Sequence, residues 1–201
     1  MIGLGRGEGF QFGPLSFSVH PGEIVALEDL HAGTAVLRII AGFERDYLGS
    51  VWYRQQLLRP GATAVGWVSP SAPLLPWLSV ADNVAFNSQA TAYNTERYSR
   101  AIDALRMVGL ETLEDLPAAT LNAGETQRAA IARALYHHPG VLLFDQPDFD
   151  ADPELPALLR ALTRVLRIAV LLNTESDGAP IADRRIAIRR EPLSFLNTRG
   201  H

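Results

Sequence analysis

The run Leu121 to Asp152, LNAGETQRAAIARALYHHPGVLLFDQPDFDAD, leaves few ways to arrange the rest of the chain. Asn122 or Thr120 can cap a helix whose apolar positions Ala129, Ile131, Ala132, Ala134 and Leu135 leave Arg128 and Arg133 on the polar side. His137-His138-Pro139-Gly140 ends that helix. The apolar run Val141 to Phe144 then closes on Asp145. This is the pattern of a strand covered on both faces, with a carboxylate at its carboxyl end.

Other elements fall on either side of this run. Leu15, Phe17 and Val19 alternate with Ser16, Ser18 and His20 as in a half-buried strand, Pro21-Gly22 makes a turn, and Glu23 to Leu27 reads as a second strand. Thr63 to Val68 reads as a further apolar strand. Tyr98, Ile102, Leu105 and Met107-Val108 recur at helical spacing over Thr95 to Val108, and Gly109 stops that helix. Pro153 to Leu166 is an amphipathic helix carrying Leu155, Leu158, Leu159, Leu162 and Leu166. Ile168 to Leu172 is a buried strand.

In this order the motifs resemble those of the ATP-binding subunits of ABC transporters. The family's signature loop reads LSGGQ or LSGGxxQR, and here LNAGETQR keeps Leu121, Gly124, Gln127 and Arg128. IARAL at Ile131 to Leu135 resembles the signature helix, Asp145 with Pro147 the end of the Walker B strand, and Asp152 the D-loop Asp. PLSFSVHPGEIVAL, LRIIAG at Leu37 to Gly42, Tyr47 to Trp52 and Ala182-Asp183-Arg184 also match, so the resemblance covers Phe10 to Arg190. Within it, LLPWLSVADNVAF is similar to the permease-facing segment of importers in the nitrate, sulfonate and taurine group. The implied fold is α/β: a P-loop NTPase-like nucleotide-binding domain with a mostly parallel core sheet, an antiparallel β subdomain and a helical subdomain near 76–136, all in a single domain over 1–201. Tyr47 to Trp52 and Thr63 to Val68 are both expected in the antiparallel subdomain.

The departures fall on the chemistry. The family's phosphate loop, GxxxxGK[ST], holds phosphates with backbone N–H groups and a lysine, and its hydroxyl binds magnesium. All 18 residues counted as Lys+Arg are arginine, so the lysine cannot be present. Counting back from LRIIAG puts Gly33 in its place, and counting forward from EIVAL puts Ala35 there, a loss of about two residues from the loop. Glu28 and Asp29 add negative charge where a triphosphate would sit. The Q-loop Gln is expected at Ser69 or Pro70, Gln146 replaces the catalytic Glu, and Glu175 follows Thr174 where the family has a switch His. Asp145, Gln146 and Glu175 are therefore expected to be vestigial, with no metal held.

Composition narrows the function classes. A net charge of -4 and a pI near 5.7 argue against general nucleic-acid binding. No apolar run approaches the roughly 20 residues that span a bilayer, and the start lacks a signal-peptide apolar core. The default is a cytoplasmic chain, peripheral at the inner face of the membrane. Cysteine is absent, and the five histidines form no metal-ligand pattern.

The resemblance then implies a catalytically inactive ABC subunit, a pseudo-ATPase that binds no nucleotide at its own site and pairs with an intact ATPase subunit, or with itself, and with a permease. ATP and magnesium would be shared at the partner's site, completed by Asn122, Ala123 and Gly124. Leu74, Leu75, Pro76 and Trp77 would face the permease, although Pro76 and Trp77 also read as a buried turn and an aromatic plug. An ATP-binding or hydrolysing subunit with atypical motifs, and a soluble scaffold without a permease, are the alternatives.

Overall fold

A computed structural model describes residues 15–70, 73–86, 95–175 and 181–188. In chain order the elements are β1 (Ile24–Glu28), α1 (Leu30–Ala41), β2 (Trp52–Tyr53), β3 (Gln56–Leu57), β4 (Val65–Val68), α2 (Val80–Val84) and α3 (Thr95–Met107). Then come α4 (Ala123–Leu135), β5 (Val141–Asp145), α5 (Leu155–Leu166), β6 (Ala169–Thr174) and β7 (Arg184–Ala187).

Five strands form one parallel sheet in the order β4-β5-β6-β1-β7. Its three inner strands, IVALE, VLLFD and AVLLNT, are runs without polar alternation because both faces are covered. Successive residues serve opposite faces. Ile24, Ala26, Leu142, Phe144, Val170 and Leu172 join one apolar cluster with α2, α3, α4 and α5, while Val25, Leu27, Leu143 and Leu171 join another with α1. The segment expected as a helical subdomain holds α2 to α4, and its buried alanines and leucines are part of the first sheet cluster.

Two expectations need correction. Val65–Val68 does not belong to the antiparallel part: β4 pairs in parallel with β5, Val65 opposite Val141. Four apolar residues carry no signal that separates a parallel edge strand from an antiparallel one. Among the described residues the antiparallel sheet is β2 with β3, joined by Arg54 and Gln55, both at positive φ as a tight two-residue hairpin requires. Leu15 to Val19 alternates in burial, with Phe17 inside, yet forms no ladder. The glycine-rich start up to Gly13, Tyr93, and most of the stretch between Glu175 and Asp183 lie outside the described residues.

Candidate nucleotide site

The carboxyl ends of β1, β5 and β6 meet the start of α1. A single residue, Asp29, separates β1 from α1, which leaves no loop. Asp29 caps the helix: its carboxylate accepts from the Ala32 N–H at 3.0 Å, and its carbonyl accepts from the Gly33 N–H at 2.6 Å. A helix start is electropositive and suits an anion, and here the chain's own carboxylate takes that position.

Thr34 donates its hydroxyl to Asp145 Oδ1 at 2.7 Å. That contact agrees with the count back from LRIIAG, in which Gly33 stands at the lysine position and Thr34 at that of the motif's hydroxyl. Asp145 is buried at 3% exposure. Ser69, one of the two Q-loop positions, is also buried and donates to Asp145 Oδ2 at 3.4 Å, whereas Pro70 is exposed.

Asn173, fully buried near the end of β6, completes the cluster. Its amide nitrogen donates to Asp145 Oδ1 at 2.7 Å, Leu30 O at 2.8 Å and Thr34 Oγ1 at 3.0 Å. All three neighbours are acceptors toward it, which fixes the amide's orientation. Its Oδ1 is buried with no hydrogen-bond partner. Sequence reasoning singled out neither Thr34 nor Asn173. The first follows Gly33 directly, and the second is the polar residue that interrupts an apolar strand run.

Gln146 and Glu175 are not gathered into this cluster. Both side chains are exposed at neighbouring strand ends, and Gln146 holds φ 53° while its N–H donates to Asn173 O at 2.9 Å. This set does not fit a metal-bound triphosphate. The hydroxyl and carboxylate are bonded to Asn173, the helix start is bonded to Asp29, and no lysine exists in the chain.

The signature side is built differently. Asn122 caps α4 in a reciprocal pair: its Oδ1 accepts from the Glu125 N–H, and Glu125 Oε2 accepts from the Asn122 N–H, each at 2.9 Å. Asn122 and Ala123 are exposed, but Gly124 is buried, and a methyl group there would lie 2.7 Å from Ala151 O. Gly124 therefore meets the D-loop of its own chain. Gln127 exchanges two hydrogen bonds with the Asp148 backbone at 2.8 and 3.0 Å, and Arg128 grips Asp152 with bonds of 2.6 and 2.7 Å. Bonding to Arg128 holds the Asp152 carboxyl below the usual carboxylate range, although burial opposes the shift. Hydrogen bonding to Arg160 does the same for Asp183.

Leu74 is core and Leu75 half-buried, while Pro76 and Trp77 are exposed, Trp77 at 74%. The plug reading of Trp77 is therefore excluded. Fully buried Asn83 shapes this loop: its side chain accepts from the Leu75 N–H at 2.6 Å and donates to Leu75 O at 2.9 Å and Ser79 O at 3.0 Å.

A parallel sheet with a helix starting after one inner strand, beside a buried Asp that ends another inner strand one removed, has the α/β architecture of nucleotide-binding domains. Residues 12–148 match the ABC transporter family, and the chain belongs to it. It is 35% identical over 188 residues to the aliphatic sulfonates import ATP-binding protein SsuB 1 of Xanthomonas axonopodis pv. citri (strain 306), covering 89% of this chain and 75% of that protein. It is 32% identical to the spermidine/putrescine import ATP-binding protein PotA of Legionella pneumophila (strain Lens), over 92% of this chain but only 54% of that protein. Among solved structures, cbiO1 from Clostridium perfringens, part of the ABC transporter complex cbiONQ, superposes with a TM-score of 0.77 at 20% identity, covering 92% of this chain and 82% of that one. The ATP-binding cassette MJ0796, bound to ADP and Pi, gives 0.72 at 23% identity over 96% and 99%.

Proposed function

We propose that this chain is a non-hydrolysing ATP-binding-subunit homologue of an ABC importer, acting as a structural or regulatory partner of an intact ATPase subunit and a membrane permease. The observation that carries the proposal is the β1–α1 joint. Asp29 caps the helix where phosphates would bind, and Gly33 stands where the family has its phosphate-binding lysine. Phosphoryl transfer is mostly positioning and charge stabilisation, so a site without lysine, catalytic Glu or switch His lacks the groups that make the rate.

In this reading the intact partner holds ATP and magnesium, and the signature loop of this chain, Asn122 to Gly124, completes the partner's site. Exposed Asn122 and Ala123 support that role directly. Gly124 supports it from beneath, by fixing the loop on the D-loop. Exposed Pro76 and Trp77, with Leu75, suit an apolar permease surface. Among the described residues no helix is long and apolar enough to cross a membrane. Attachment to the inner membrane face would then run through the permease. The importer names of the two relatives support transport as the setting.

Calorimetric titration of the isolated chain with Mg-ATP tests the proposal. No heat of binding and no turnover are expected. Micromolar affinity would instead favour an ATP-binding subunit with atypical motifs, and turnover lost in Asp145→Ala would identify an active one.

A further inference from the structure

We infer that Asn173 is an internal cation surrogate: its amide N–H groups fill the position between Asp145 and Thr34 that a metal ion would take, and Gly33 supplies the room that admits them. Three acceptors from two elements, Leu30 O and Thr34 Oγ1 of α1 and Asp145 Oδ1 of β5, converge on the amide nitrogen within 3.0 Å. Convergent oxygens of this kind are what a hard cation or an ammonium collects. Among the described residues no ion pair reaches Asp145. A buried carboxylate without donors is costly, and among the described residues Asn173, Thr34 and Ser69 donate to it.

The far side of the amide shows that this orientation is kept at a cost. Its Oδ1 is buried and unpartnered, so the amide shares its two N–H bonds among the three acceptors in front of it and leaves its own oxygen unsatisfied behind. That oxygen lies over Gly33, where an added Cβ would clash with it. A side chain at position 33, lysine included, would require Asn173 to leave its present position. Gly33 and the Asn173 amide are thus two parts of one packing solution that joins sheet and helix without a ligand.

This inference rests on the reading that the chain's own phosphate site is closed, but it concerns the ion position alone, so its test contains no nucleotide. Asn173→Asp replaces the surrogate donor with a second carboxylate facing Asp145. In chelator at pH 8 the Asp variant of the full chain is expected to melt at least about 5 °C below the wild type. Millimolar Mg2+ or Mn2+ is expected to restore more than half of that loss and to leave the wild type unchanged. An Asp variant as stable as the wild type in chelator, or a loss that neither ion reverses, overturns the surrogate role. If the Asp variant does not fold, a mutant cycle decides. Gly33→Ala should lower the melting temperature steeply in the wild-type background and much less beside Asn173→Ala, whereas additive losses would overturn the pairing of Gly33 with Asn173. Binding of Mg-ATP by the wild type would refute the closed-site reading, and that outcome is separate from both.

Discussion

At the start of α1 the helix donors, the Thr34 hydroxyl and the Asp145 carboxylate are bonded inward, to Asp29 and Asn173. At the start of α4 the cap is also internal, yet Asn122 and Ala123 stand exposed, and the bonds behind them run to the D-loop through Gln127 and Arg128. On the proposal above, the first region's bonds are made by groups standing where a ligand would sit, at the cost of one unpartnered amide oxygen on Asn173. A ligand arriving at α1 would then displace parts of the chain, whereas one arriving at α4 meets a surface already held in shape. Retained scaffold motifs therefore say little about whether a site can bind, and what fills the space over the motif says more.

Breaking the anchor of the second region gives the largest expected effect. Arg128→Ala leaves Asp152, a buried carboxylate, without its cation, and should lower stability by about 3 kcal/mol in denaturant unfolding. A loss below about 1 kcal/mol would mean that the D-loop is held elsewhere, and the contrast between the regions would weaken. The same pair sets an acid limit. Because Arg128 lowers the Asp152 carboxyl in the folded state, its contribution is complete above the unfolded value of about 3.9 and is lost as pH falls through the lower folded value. Arg160 and Asp183 act in the same direction. Stability should therefore fall steeply below about pH 4, and Arg128→Ala should blunt that fall.

A second test separates the two regions by function. Ala123→Asp places a carboxylate at the exposed loop, and an acidic residue in the first turn of α4 does not disturb the helix. In a reconstituted complex it should reduce ATPase activity about tenfold, equivalent to about 1.4 kcal/mol, while Gln146→Ala leaves the rate unchanged. The reverse order would place the active site in this chain.

The smallest expected effect is at Trp77. With 74% of its surface exposed, Trp77→Glu should change folding stability by less than about 0.5 kcal/mol while weakening capture of a permease. Unfolding of that variant, or unaltered capture, would remove the loop from the interface.

Much of this molecule was legible because its inner strands and amphipathic helices carry their burial in their periodicity, and because LNAGETQR, IARAL and ADR occur in fixed order. The strand β4 was misassigned for a physical reason: four residues that alternate between half-buried and buried pair equally well in either direction, and only the partner decides. The closeness of Gly124 to Ala151 O in its own chain was not legible, because no local pattern connects the two. Asn173 was missed because its meaning lies in three acceptors supplied by residues 28 to 143 positions away along the chain. The absence of lysine was visible at once, whereas the side chain that takes over its space was visible only in three dimensions.

The Asp29 cap also bears on how this protein's abundance responds to metabolism. A nucleotide-dependent subunit is completed by mass action, and ligand at a hundred times its Kd adds about 2.7 kcal/mol to the folded state. A helix finished by the residue just before it is completed at an effective concentration set by the chain itself. On the proposal above, the folded population of this chain takes no reading of cellular ATP. When energy runs low, an ATP-bound partner loses its ligand-linked increment and becomes easier to unfold and degrade, while this subunit persists as the standing half of the pair.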